Sequence, residues 1–144
     1  MKNVRYILFG LIIFSMIPSN VQCKPNSAEN HVKEFYQWYI RGGPKSIEGD
    51  LSEYVDECVL KTIRILYKRD YFETGYFTKS QDCWDEWLDV MVVHKEMKIN
   101  DATSVVPISF KFSEDKQHHL LVFVRKEKDG WRIIKVSGTK YFFE

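Results

Sequence analysis

The chain has 144 residues, with 21 Lys and Arg against 20 Asp and Glu, and three cysteines. That length is one domain. A charge so close to neutral leaves no electrostatic footprint for nucleic acid or for an anionic membrane. The basic runs at residues 64–69 and 125–128 are interleaved with Ile, Leu or Glu and read as solvated faces.

The first residues carry a compartment signal. Lys2 and Arg5 form a short basic start, residues 6–17 are an apolar run broken by Gly10 and Ser15, and Pro18 with a polar exit follows. Twelve apolar-dominated residues fall short of the roughly 20 that span a bilayer, so residues 1–23 read as a secretory signal peptide. The expected domain is then 24–144, exported to the bacterial periplasm. Removing residues 1–23 leaves 121 residues and takes away Lys2 and Arg5 but no acid, turning +1 into −1. Asn20-Val21-Gln22 before Cys23 match a lipobox poorly, so a soluble product is favoured over a lipid anchor at Cys23.

Two helices are predicted next. Ala28, Val32, Phe35, Tyr36 and Tyr39 sit at helical spacing, and Gly42-Gly43-Pro44 stops that helix. Leu51, Tyr54, Val55, Cys58, Val59, Thr62, Ile63, Leu66 and Tyr67 follow the i, i+3, i+4, i+7 pattern of a second, with Asp50 as its cap. The cluster Phe35-Tyr36-x-Trp38-Tyr39 reads as core.

A polar, aromatic-rich connection follows at residues 76–87. It is too acidic for a core strand and too aromatic for a disordered linker, because exposing Phe77, Trp84 and Trp87 would forfeit their burial energy. It reads as an ordered loop on a scaffold, a common place for function. Gln81, Asp82, Trp84, Asp85, Glu86 and Trp87 are its candidate binding residues. One tryptophan is expected under the sheet and the other exposed near the loop. Asp82 has two readings: a cap for a short helix starting near Trp84, or a carboxylate raised in pKa by an apolar pocket and acting as a base.

The period then changes to two. Residues 89–98 read as a strand, and Asn100-Asp101 as a turn. Val106, Ile108, Phe110 and Phe112 alternate along the next strand, where Pro107 predicts an edge or a bulge. Ser113 to Lys116 turn the chain into residues 118–126, and Lys128-Asp129-Gly130 is a hairpin signal before residues 131–136. Helices first and an antiparallel meander afterwards predict an α+β fold, two helices packed on a curved antiparallel sheet.

Enzyme and metal signatures are sparse. The chain has no His-Glu-x-x-His, Cys-x-x-Cys, Gly-rich phosphate loop or Gly-x-Ser-x-Gly. His118 and His119 are adjacent on a predicted strand and point to opposite faces, so they do not chelate one ion. No metal and no cofactor are expected. Export to an oxidising compartment predicts a Cys58–Cys83 disulfide, against the alternative of a buried Cys58 and a free Cys83.

From the Phe35-Tyr36-x-Trp38-Tyr39 helix, through Tyr71-Phe72 and Phe77-Thr78-x-x-Gln81-Asp82, to Gly130-Trp131-x-Ile133, the chain resembles the YbjP/YqhG-like family of small secreted bacterial proteins. The resemblance implies the cone-shaped fold named after nuclear transport factor 2. It leaves three function classes. The favoured one is an exported, non-catalytic binding protein whose partner is another protein, such as an immunity-type inhibitor of a toxin-like hydrolase. The others are a carrier of a small apolar ligand and a cone-fold hydrolase or isomerase built on Asp82.

Overall fold

The computed structural model describes residues 27–43, 51–69, 75–81 and 83–138. The expectations for the signal peptide and Cys23, for Pro44, Asp50 and Tyr71-Phe72, and for Asp82 lie outside the described residues.

Helix α1 (Ala28–Ile40) begins where Ser27 Oγ accepts the Asn30 N–H at 3.2 Å, satisfying a donor the first turn leaves open. It ends at Arg41, after which Gly42 takes a φ of +102°, a left-handed value that a Cβ would oppose. Its buried stripe of Ala28, Val32, Phe35, Tyr36 and Ile40 follows the predicted spacing. The Glu29 carboxylate at its first turn accepts the Glu96 backbone N–H at 3.0 Å, a bond that holds its pKa below the usual carboxylate range. That contact ties the helix to the sheet.

The second helix is shorter than its periodicity predicts. α2 spans Glu57–Tyr67 and is capped by Asp56, whose Oδ1 accepts the N–H groups of Cys58 (2.9 Å) and Val59 (3.4 Å). Residues 51–55 are drawn out of the helix by the sheet. Ile133 N–H donates to the Tyr54 carbonyl at 2.8 Å, and Asp56 N–H donates to the Ile133 carbonyl at 3.0 Å, making a parallel bridge at Val55. Tertiary pairing here overrides a local helical pattern. The late start also rotates the apolar face. Leu60 and Ile63 are buried, whereas Cys58, expected on the core side, is exposed.

The α+β expectation is met: among the described residues five strands form one open antiparallel sheet. They are β1 (Met91–Val93), β2 (Met97–Lys98), β3 (Thr103–Lys111), β4 (Gln117–Glu127) and β5 (Gly130–Gly138), in the order β1-β3-β4-β5, with β2 also on β3. The single strand expected over residues 89–98 is thus two pieces laid along β3. Pro107 is the cause. β3 is an interior strand, not an edge, and its odd-numbered residues bond towards β1. His94 N–H reaches the Pro107 carbonyl at 2.9 Å, but Pro107 has no N–H to return, and pairing stops there.

The core lies between α1 and one face of the sheet. Val106, Ile108 and Phe110 of β3, Leu120, Val122 and Val124 of β4, and Ile133 and Val136 of β5 meet α1 with Leu60 and Ile63. Each side chain buried this way contributes about 1.5–3 kcal/mol.

Candidate functional site

In the connection between Gly75 and Leu88, the described residues are held because the inward ones are gripped by α1 and β4. Gly75 N–H donates to the Ser80 carbonyl at 2.9 Å and Lys79 N–H to the Gly75 carbonyl at 2.8 Å, closing a tight turn. A Cβ on Gly75 would lie 2.8 Å from Thr78 Oγ1, so the turn has no room for one. Lys79 adopts a φ of +51°, costly for a residue with a side chain and held by those two bonds. Its Nζ sits 4.0 Å from the centre of the Tyr76 ring, and burial, followed by Lys135, lowers its pKa.

Two side chains, one buried and one half-buried, grip the loop backbone. Tyr36 Oη donates to the Phe77 carbonyl at 2.7 Å, and burial raises its pKa well above that of a free phenol. The His118 Nε2–H donates to the Thr78 carbonyl at 2.6 Å, which fixes the tautomer of that ring. Phe77 fills the space between Phe35 and Tyr39, with ring centres 5.0 and 5.3 Å away.

The tryptophans divide as expected. Trp87 is 7% exposed, with its ring centre 4.8 Å from Phe110, 5.1 Å from Phe112 and 5.6 Å from His118. Trp84 is 63% exposed. Between them runs a single 3-10 turn, Asp85–Leu88, on which Asp85 and Glu86 face solvent. Its cap position is Trp84, whose side chain makes no cap bond. Of the six candidate residues, the structure places Gln81, Trp84, Asp85 and Glu86 on the surface and Trp87 in the core.

Among the described residues Cys58 and Cys83 are both free and exposed, and the expected disulfide between them is not formed. They stand against different groups. Cys58 lies by Lys61 and Arg125 at the start of α2, whereas Cys83 lies by Tyr36 and Tyr39. Crowding at Cys83 pushes its thiol up to about 11, with Asp85 adding to the effect. Tyr39 is pushed up to about 12, by burial first and then by Tyr67 and Cys83.

Away from the loop, a groove of about 450 Å³ lies at the end of α1, lined by Glu34, Gln37, Trp38, Arg41 and Tyr54 with Gly42 and Gly43. It is open and largely polar, unlike the closed apolar pocket a small-ligand carrier needs. No group of three or more metal-holding side chains occurs among the described residues.

His118 is the sheet residue whose grip on the loop the sequence did not reveal, having been weighed there only as a metal ligand. Its signal was its place in β4, where it shares the inward parity of Leu120, Val122 and Val124.

What this architecture defines is a small α+β protein with a pegged, acidic, aromatic-tipped loop beside an open sheet. No family model matches the chain, and no curated protein matches it. Solved structures do. A chain in the crystal structure of the native type VI effector–immunity complex Tae3–Tai3 from Ralstonia pickettii is 31% identical, with a TM-score of 0.70. The match covers 82% of this chain and all of that one. The selenomethionine form of the same complex matches at 30% identity and a TM-score of 0.69, over 81% of this chain and all of that one. The chain belongs to the family of that Tae3–Tai3 complex chain.

Proposed function

We propose that this chain is the immunity-type member of such a pair: an exported protein that binds a delivered effector and works by occlusion, without chemistry of its own. The observation that carries the reading is the 31% identity over the full length of a chain from an effector–immunity complex. The surface supports the binding half over the catalytic half. Trp84, Asp85 and Glu86 stand together in solvent on a turn fixed from beneath, the arrangement of an aromatic anchor in an acidic rim. The Cys83 thiol beside them is raised to about 11, the wrong direction for a nucleophile.

Export through residues 1–23 belongs to the same proposal and rests on Lys2, Arg5 and the apolar run after them. Intact-mass measurement of periplasmic material should give a chain starting near residue 24; retained Met1 or an acylated Cys23 would remove soluble export. The finer architecture belongs here too. The β-bulge between Phe123 and Val124 supports a sheet that curls towards the cone expected of YbjP/YqhG-like proteins.

The binding test is calorimetric titration of the mature chain against purified Tae3 from Ralstonia pickettii and against any toxin-like hydrolase found encoded beside this chain's gene. A stoichiometric complex that blocks the effector's hydrolysis is expected with the cognate one. Turnover of a substrate by this chain alone, with no complex, would overturn the reading.

A further inference from the structure

The sheet has a second face, and its composition does not suit water. Even-numbered β3 and β4 residues enter the core, so Val105, Pro107 and Ser109 of β3 and His119, Leu121 and Phe123 of β4 point the other way. Register places Met97 beside Val105 and Phe123, and Val92 beside Ser109 and His119. Ile99, Met97 and Val92 are 58%, 52% and 49% exposed. Val105 is buried yet belongs to no part of the core cluster.

β4 reads Leu120-Leu121-Val122-Phe123-Val124, apolar on both parities. An antiparallel strand with one wet face alternates apolar and polar; a continuous run is the pattern of a strand covered on both sides. On the outward side of β4, Leu121 and Phe123 are half-buried, and Val92, Met97 and Ile99 beside them are exposed.

The charged residues on the outward positions of that side are mostly basic. On the outward positions of β3, β4 and β5 stand Lys111, Arg125, Arg132 and Lys135, against the single acid Glu127. Asp56 and Glu127 engage Arg125, and Asp129 engages Arg132. Lys111 and Lys135 have no acid partner among the described residues, and Lys135 lies 5.5 Å from the centre of the Phe123 ring.

Resting on the immunity reading above, we propose that the outward sheet face, centred on Met97, Leu121 and Phe123, is a docking surface for the effector itself, which meets it with an apolar patch rimmed by carboxylates. Charge complementarity selects this occupant over a second copy of the chain, which would bring Lys111 and Lys135 against their own kind. The acidic Trp84 turn and the basic sheet face then hold different parts of one partner.

The experiment uses the mature chain and the cognate effector identified by the titration. Four proteins are compared: wild type, Trp84→Ala, the double variant Met97→Glu with Phe123→Glu, and the double variant Lys111→Glu with Lys135→Glu. The Met97/Phe123 variant should raise Kd at least about 100-fold, as loss of a central anchor does. The Lys111/Lys135 variant should slow association about ten-fold at low salt and less at high salt.

Wild type that binds while the Met97/Phe123 variant binds equally well would overturn the docking face and leave the immunity reading intact. Wild type that binds no effector would overturn both. A melting temperature lowered by more than about 5 °C in the Met97/Phe123 variant, a loss of roughly 1 kcal/mol, would show the face covered within the chain and overturn the proposal. A dimer in wild type that this variant dissolves would do the same in favour of a second copy.

Discussion

The two faces of the sheet are built from the same strands and teach different things. On the inward face the side chains Phe110, Leu120, Val122 and Ile133 are sealed by α1 and by the loop pegged beneath Trp87. On the outward face Val105, Leu121 and Phe123 are equally apolar, but Met97, Ile99 and Val92 beside them are open. Apolar content therefore does not separate core from surface in this protein. Coverage within the chain does, and the loop divides likewise, with Trp87 turned in and Trp84 turned out three residues earlier.

The sharpest way to break that comparison is truncation on each face. Phe110→Ala should destabilise the protein by about 3–5 kcal/mol in denaturant melts, whereas Phe123→Ala should cost about 1 kcal/mol or less. Equal costs would mean that the outward face is already packed inside the chain.

His118 tests the join between sheet and loop. His118→Ala leaves the Thr78 carbonyl without its donor and opens space against Trp87, which should cost about 1–3 kcal/mol. Near-neutrality would show that the loop holds its shape without the histidine.

Alkaline pH probes the same region through its protons. The folded protein holds Cys83 to about 11 and Tyr39 to about 12, above the ordinary values of 9.0 and 10.0. The unfolded chain releases these protons first, so the stability they contribute is present below pH 9 and is lost as pH rises through 11 and 12. The melting temperature should fall over that window, and less so in Tyr39→Phe. A flat profile would mean that neither group is held. At pH 8 the Cys83 thiol should also alkylate on the order of a hundred-fold slower than an ordinary thiol.

The smallest expected effect is on the outward side of the loop. Trp84→Ala should change stability by no more than about 0.5 kcal/mol, while weakening a protein complex by about 2 kcal/mol if Trp84 is its anchor. A large loss of stability would place Trp84 on the inward side instead.

Much of the fold was legible along the chain, and the failures share one cause. The α1 stripe, the hairpin at Asp129-Gly130 and the alternation of Val106, Ile108 and Phe110 are local patterns, and local physics decides them. Residues 51–55 looked helical because their spacing is helical, but Ile133, about 80 residues away, claims their backbone. The same distant contact moved the cap to Asp56 and turned Cys58 outwards, which undid the reasoning for a disulfide. Pro107 was noticed as a missing donor, yet the sequence does not say which neighbour misses it. At the loop, the aromatic density was enough to predict order and a division of the tryptophans. Which carbonyls His118 and Tyr36 hold was not readable, because those bonds join residues about 40 apart.

The break at Pro107 has a consequence for how the molecule keeps company. A long, straight outer strand is a template on which other chains can add themselves and aggregate. Here that border is two stubs of three and two residues with a gap between them. The opposite border, β5, is engaged by the backbone of Tyr54 and Asp56 at Ile133. The interrupted β1–β2 rim offers no long row of open hydrogen-bonding groups among the described residues. A protein carrying an oily sheet face thus has the route by which sheets polymerise interrupted along that rim.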